Sequence, residues 1–411
     1  MFAWIGELSG REKKTLIAAY GGWSVDAFDF MIYTFVIPTL MAAWGMSKGQ
    51  AGLIATSALL MSALGGWIAG ALSDRFGRVR VLQVTIAWFA CFTFLCGFTQ
   101  SFEQLLIVRS LQGLGFGGEW AVGSVMIGEI IRAQHRGKAV GTVQSGWAVG
   151  WGAAALMFAI LFSYLADDLA WRVLFWMGLA PALLVLYIRR NVTDSEVFTA
   201  TRALTAEQRS HFLEIFSPQL LRITLLTSLM ATGMQGGYYA VTIWLPTYLK
   251  TTRGLSVIGT GGYLAVIISG ALVGYLTAAW MSDHLGRRKT FFLFAVCSAL
   301  TAVTYTLLPI SDALMLVLGF PLGFFVSGNF SGVGAYFTEL FPSRVRGSGQ
   351  GFAYNFGRGI GALFPALVGY LSATMPLGRA IGMFAGSAYV VVIVAVSLLP
   401  ETRGKQLAVY D

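Results

Sequence analysis

Gly70-Ala71-Leu72-Ser73-Asp74-Arg75-Phe76-Gly77-Arg78 returns about 210 residues later as Ala279-Trp280-Met281-Ser282-Asp283-His284-Leu285-Gly286-Arg287. A second pair lies the same distance apart: Glu129 through Arg136-Gly137 is matched by Glu339 through Arg346-Gly347. Each copy is a charged knot between long apolar runs, so the chain reads as two copies of one unit in parallel orientation. Composition says what kind of unit. Of 411 residues 56% are hydrophobic and 11% charged, whereas a soluble domain carries roughly a quarter charged residues. That is too little polar side chain to clothe a water-exposed globule, and with a mean hydropathy of +0.70 the chain is expected to be an integral membrane protein. Fifty glycines and 14% aromatics fit, since small residues let membrane helices approach closely and aromatic rings sit at lipid interfaces.

A span needs about 20 mostly apolar residues. Twelve are expected, near 15–42, 51–72, 80–99, 103–130, 138–163, 171–189, 220–248, 256–281, 289–308, 312–340, 347–372 and 378–399. The first is too long, and too interrupted by Asp26 and Asp29, to be a cleaved leader. Lys48, Arg172, Lys250, Arg253 and Arg379 fall on one side of the membrane, and Arg109 and Arg358 lie within spans. The other 21 of the 28 basic residues fall with the termini, so both termini are cytoplasmic. The net charge of +9 is thus a membrane-orientation signal and no sign of nucleic-acid binding. The expected fold is all-α, with twelve membrane helices in two six-helix bundles. Residues 1–189 would form the amino-terminal bundle, 190–218 a polar cytoplasmic linker, and 219–411 the second bundle with a short tail.

Read over nearly its whole length, the chain resembles the major facilitator superfamily. The resemblance rests on Gly70 to Arg78 and its looser copy from Ala279, where alanine replaces the first glycine. It rests also on Arg109-Ser110-Leu111-Gln112-Gly113-Leu114-Gly115 in span four and on Glu339-Leu340-Phe341-Pro342-Ser343-Arg344-Val345-Arg346-Gly347 after span ten. Among its subfamilies, Asp26-Ala27-Phe28-Asp29-Phe30 and Asn355-Phe356-Gly357-Arg358 look like the proton-coupled carboxylate symporters, a grouping with sialate and lactate carriers and with aromatic-acid carriers as near relatives. The resemblance implies a secondary transporter in the plasma membrane, a bacterial inner membrane by that likeness, working by alternating access.

The repeat sorts the charges. Asp74, Arg78, Glu129 and Arg136 have counterparts at Asp283, Arg287, Glu339 and Arg346. Charges kept in both halves at cytoplasmic helix ends are expected to form interhelical ion pairs that gate the cytoplasmic side. Asp26, Asp29, Glu119 and Arg358 break the repeat: Asn329 stands opposite Glu119 and Ala148 opposite Arg358. An ionisable residue at mid-membrane costs at least about 2.5 kcal/mol, which makes these functional candidates. Asp26 and Asp29 are three apart on one helix, and two carboxylates that close cannot both ionise cheaply in low dielectric. With no histidine inside a span, Asp26, Asp29 and Glu119 are the candidate proton carriers, unless they serve only to pair with Arg109. Arg358 offers a permanent charge and a planar fork matched to a carboxylate. Tyr354 and Asn355 share its face, and Gln235, Tyr238 and Tyr239 in span seven with Gln144, Trp147 and Trp151 in span five complete the candidate lining. One arginine, two amides and several rings suit an organic acid better than a polyhydroxylated sugar.

Other classes find less support. Cys91, Cys96 and Cys297 stand in apolar runs without ligand spacing and read as buried inert thiols, so no metal or other cofactor is expected. There is no phosphate-cradling loop for ATP and no nucleophile with a base. The expectation is a proton symporter importing an organic carboxylate, with a monocarboxylate such as lactate or pyruvate favoured. Sialate or an aromatic acid is the alternative. A proton-coupled drug exporter would not need Arg358, and a non-transporting sensor would not need the intact unmatched charges. Its partners are the substrate, protons and lipid, with a single chain as the working unit.

Overall fold

The computed structural model describes residues 3–192, 212–342 and 345–403, with every side chain in them except those at 3, 74, 75, 78, 119–126, 128, 129, 133, 134, 136, 137, 181 and 189. Serines start many of the helices. Ser9 and Ser47 each form a reciprocal capping box, with Glu12 and Gln50, at the heads of span one (Gly10–Trp44) and span two (Lys48–Phe76). Ser101, Ser256 and Ser311 cap span four (Phe102–Ile130), span eight (Val257–Leu285) and the first helix of span ten (Asp312–Gly328). Each hydroxyl satisfies a helix-end N–H that has no partner within the helix. Spans three (Arg78–Cys96), five (Ala133–Tyr164), seven (Leu221–Thr247), nine (Arg287–Leu307) and twelve (Leu377–Leu398) are single helices.

Three spans that read as continuous in the sequence are broken. Span six is Asp167–Trp176 and Pro181–Asn191, joined by a 3-10 turn, Met177–Leu179. Span ten stops at Gly328 and resumes as Val333–Leu340. Span eleven is Arg346–Gly361 followed by Leu363–Leu371. Among the described residues, nine helical stretches are long and apolar enough to cross a membrane by length and composition. Spans four, seven and eleven are not among them, and these carry Arg109, Gln235 and Arg358.

The duplication is visible in the backbone. Gly77 ends span two and begins span three at φ 104°, ψ 147°, and Gly286 joins spans eight and nine at φ 100°, ψ 159°. That region is accessible essentially only to glycine, so the repeated motif encodes the same sharp helix-to-helix joint twice. Packing repeats as well. A Cβ on Gly113 of span four would strike the Ala58 carbonyl of span two, and a Cβ on Gly323 of span ten would strike the Ile267 carbonyl of span eight. Backbone-to-backbone contact of this kind is how membrane helices associate without a hydrophobic driving force.

The halves meet along two seams. On the non-cytoplasmic side, Thr56 of span two donates to the Ala362 carbonyl at 2.6 Å and accepts from the Ala366 N–H at 3.2 Å, where the break in span eleven frees backbone groups. On the other seam span five packs on span eight, with Gly141 against Ala279 and Gly152 against Ile268. Most of the polar segment expected as linker lies outside the described residues, at 193–211.

Candidate functional site

Span one faces two environments. At about 100° per residue, Trp23 and Phe30 point one way and Asp29 and Tyr33 about 60–120° away from them, with Asp26 between. Asp26 and Asp29 are both fully buried. Asp29 faces the interior of the amino-terminal bundle. Its Oδ2 accepts from the Thr93 hydroxyl at 2.7 Å and from the Gln112 amide, and Gly178, in the break of span six, lies against its Oδ1. Arg109 lies within reach of its charge. The Arg109 guanidinium is 1% exposed, with its carbon 5.2 Å from the Tyr33 ring centre and 6.0 Å from that of Phe175. Its Nε and Nη1 have no hydrogen-bond acceptor among the described residues. Four helices thus converge on one carboxylate, one guanidinium, an amide and a hydroxyl in an otherwise apolar interior.

The face of span one that carries Phe30 meets the second half of the chain. Phe30 stacks on Phe116 of span four at 5.6 Å, 16° from parallel, and stands 5.8 Å from Trp147 and 6.0 Å from Tyr239. The Trp147 indole N–H donates to the Tyr238 hydroxyl at 2.6 Å, so span five and span seven are tied across the bundle interface. Trp151 is also buried there. Arg358, 2% exposed, closes this aromatic wall. Its guanidinium carbon is 5.1 Å from the Tyr354 ring centre and 5.6 Å from that of Phe116, and the Tyr239 hydroxyl stands beside it. Arg358 Nε and Nη1 lack an acceptor among the described residues. A buried guanidinium with open donors is costly unless an anion takes them; Nε and Nη1 lie on different edges of the group, so each offers one charge-assisted hydrogen bond to an anionic oxygen.

The candidate amides have other work. Gln235 donates to the Tyr354 carbonyl at 2.8 Å and accepts from Tyr239 at 3.1 Å, locking span seven to span eleven and orienting the ring beside Arg358. Gln144 donates to the Phe330 carbonyl at 3.1 Å, in the break of span ten. Asn355 donates to Gly351 at 3.0 Å, and its Oδ1 abuts Gly66 of span two. Gln112, Thr93, Phe30 and Phe116 were not singled out by the sequence reading. Gln112 had a signal, being a polar residue one turn from Arg109 in an apolar span; Thr93 and the phenylalanines had none. Cys91 is exposed, which corrects the expectation that all three thiols are buried. Among the described residues no group of histidine, cysteine and acidic side chains could hold a metal ion.

At the cytoplasmic end of the second half, Arg287 spans two acids. It donates to Glu339 at 2.9 Å and to Asp283 one turn away on the preceding helix. Glu401 receives the backbone N–H groups of Arg287 and Arg288 at 2.8 and 3.1 Å, and Thr402 donates to Glu339. Arg346 donates to the Thr338 carbonyl at 2.9 Å. The Arg287 pairs and the Thr402 bond tie spans eight, nine and ten and the segment after span twelve within one bundle. These ion pairs are interhelical and lie within one bundle. The side chains of Asp74, Arg78, Glu119, Glu129 and Arg136 lie outside the described residues.

With this geometry in place, comparison with known proteins identifies the lineage. The sequence profile of the Major Facilitator Superfamily matches residues 19–311 and 265–409. The chain belongs to that superfamily. It is accordingly a multi-pass membrane transporter. A probable 4-methylmuconolactone transporter of Cupriavidus pinatubonensis is 44% identical over 98% of this chain and 94% of its own length. The cis,cis-muconate transport protein of Acinetobacter baylyi is 30% identical, over 89% of each chain. Among solved structures, a proton:xylose symporter bound to 6-bromo-6-deoxy-D-glucose superposes with a TM-score of 0.76 at 18% identity, over 97% of this chain and 98% of that one. Superfamily membership makes the two bundles and the interface between them the frame in which the buried charges sit.

Proposed function

We propose that this superfamily member imports an organic carboxylate with an unsaturated or cyclic carbon skeleton, together with protons. The observation that carries the reading is Arg358, a buried guanidinium at the bundle interface whose Nε and Nη1 are open and whose flanks are the faces of Phe116 and Tyr354. The donors take the carboxylate, and the rings of Phe30, Phe116, Trp147 and Tyr239 offer apolar faces to a planar skeleton. Lactate or pyruvate would leave most of that aromatic surface uncovered, so the small monocarboxylates favoured by the sequence give way to larger flat acids. Relatives named for muconate and for a muconolactone support the same choice. Asp29 is the proposed proton carrier, with Asp26 and Glu119 as the alternatives. The cytoplasmic cluster around Arg287 is proposed to brace spans eight to ten as one body when the bundles rock.

Thermal shift of the purified protein tests the substrate class. Benzoate, cis,cis-muconate and lactate are compared with benzamide and xylose at pH 6 and pH 8. A ligand at 100 times its Kd stabilises by about 2.7 kcal/mol, so benzoate or muconate should raise the midpoint by several degrees. Benzamide, which keeps the ring and loses the charge, should not. Equal shifts with benzoate and benzamide would remove Arg358 from substrate recognition, and a shift with xylose alone would replace the carboxylate reading altogether.

A further inference from the structure

The outer face of the amino-terminal bundle is not smooth. Spans two, three and four enclose a cleft of about 490 Å³ between Ile68, Leu72 and Phe76 on one side and Val84 and Trp88 on the other. Glycines make it concave. Gly65 lies on the Leu114 backbone, and a Cβ on Gly115 would come within 2.8 Å of the Thr85 carbonyl, so spans two and four and spans four and three touch at their backbones and leave the larger side chains to stand as walls. The Trp88 wall is fixed, because its indole N–H donates to the Leu111 carbonyl at 2.8 Å. Ile68, Leu72, Phe76, Val84 and Trp88 are all 42–63% exposed, on a surface that faces hydrocarbon.

The cleft has a polar end. Arg80 lines it two residues into span three, at the cytoplasmic edge, and Trp88 lies about 12 Å deeper along the same helix. Arg80 is exposed and makes no ion pair or hydrogen bond among the described residues. An apolar slot that starts at headgroup depth beside an unpaired cation and runs toward the bilayer centre matches one kind of molecule in shape and charge. We propose that this cleft is a binding site for an anionic phospholipid of the cytoplasmic leaflet, its phosphate group on Arg80 and one acyl chain lying along Leu72, Val84 and Trp88. Arginine suits a phosphate diester because its fork can take two oxygens at once, and a zwitterionic lipid offers a weaker net attraction to one cation. Span four joins this outer cleft to the interior, since Leu114 and Gly115 floor the slot and Phe116 lies beside Arg358. The site stands on the membrane topology alone and does not depend on which substrate is carried.

Trp88 reports occupancy directly, because bromine on an acyl chain quenches an indole that it touches. The full-length protein is reconstituted in vesicles of unbrominated phosphatidylcholine containing increasing brominated phosphatidylglycerol or brominated phosphatidylcholine. The Trp88 contribution is taken as the difference between the parent and Trp88→Phe. Half-quenching should require about five-fold less phosphatidylglycerol than phosphatidylcholine, the preference expected for one basic side chain at the anionic surface. Arg80→Gln, an exposed change that disturbs no packing, should bring that ratio to one. Val84→Phe should fill the slot and lower the quenching by either lipid. Equal half-quenching by the two lipids in the parent would reduce the cleft to ordinary boundary lipid. A preference that survives Arg80→Gln, or quenching unchanged by Val84→Phe, would likewise overturn the proposal.

Discussion

Arg358→Ala should bind organic carboxylates at least about 100-fold more weakly than the parent and yet be no less stable in detergent. Two charge-assisted hydrogen bonds to a carboxylate are each worth about 1.5–3 kcal/mol, which sets the expected loss. The stability half of the result is the discriminating one. A buried ion pair broken by removing one partner typically costs about 3–5 kcal/mol, because an uncompensated charge is left behind. Arg358 Nε and Nη1 have no acceptor among the described residues, so removing the guanidinium relieves a desolvated charge and orphans no acceptor on those two atoms. The unliganded variant should therefore melt at or above the parent temperature. Arg358→Lys keeps the charge and loses the planar fork, and its affinity should fall between the two, roughly ten-fold below the parent. Calorimetry with benzoate and a thermal melt without ligand read both quantities. A variant that keeps its affinity and melts early would make Arg358 a structural ion-pair partner.

Much of this architecture could be read from the chain because few physical constraints set it. Apolar runs of fixed length, basic loops on one side and a motif repeated at half the length leave little freedom; the positive-φ joints at Gly77 and Gly286 came only with the structure. The breaks in spans six, ten and eleven were not anticipated, although Pro181 heads the second helix of span six and Pro365 cannot donate to the Gly361 carbonyl where span eleven breaks. In span ten Gly328-Asn329-Phe330-Ser331-Gly332 is poor in helix formers, and the Phe330 carbonyl in the break takes the Gln144 amide of span five. The site divides the same way. Charged residues that violate the repeat identified Asp26, Asp29 and Arg358, because hydrocarbon makes a charge expensive wherever it is. The direction each one faces was hidden. The spacing of Asp26 and Asp29 suggested one shared face but not its direction; Asp29 turns into its own bundle toward Thr93 and Gln112, and Arg358 lies at the interface. That Arg358 is flanked by the rings of Phe116 and Tyr354 could not be read from its charge. Gln144 and Gln235, read as substrate ligands from their polarity, use their amides to hold span breaks and neighbouring helices.

That separation of the two charged centres shapes the second large effect. Asp29→Asn should abolish proton-driven accumulation while leaving substrate exchange. The carboxylate stands in a closed set of partners: a hydroxyl, an amide and the charge of Arg109. Adding a proton changes the net charge of that set by one unit in a medium where charge is expensive, so the packing of span one against span four should differ between the two states. Those same helices carry Phe30 and Phe116, stacked on each other beside Arg358. Phe30 is adjacent to Asp29 in span one, and Phe116 lies one turn beyond Gln112 in span four, so a shift at the carboxylate reaches the proposed substrate arginine through a single ring pair. Asparagine keeps the shape and an acceptor for Thr93 but holds one charge state permanently. In proteoliposomes, each coupled proton converts one pH unit of gradient into roughly ten-fold accumulation; for Asp29→Asn the inside-to-outside ratio should fall to one. Counterflow of labelled substrate should persist within a few-fold of the parent, since exchange needs no net proton movement, and benzoate affinity should change less than about three-fold because Asp29 does not touch Arg358. Phe116→Ala should uncouple in a different way, weakening binding while leaving the remaining uptake dependent on the gradient. If Asp29→Asn still accumulates substrate, the proton travels on Asp26 or Glu119, and the enclosed Asp29 is then a structural tie among spans one, three and four.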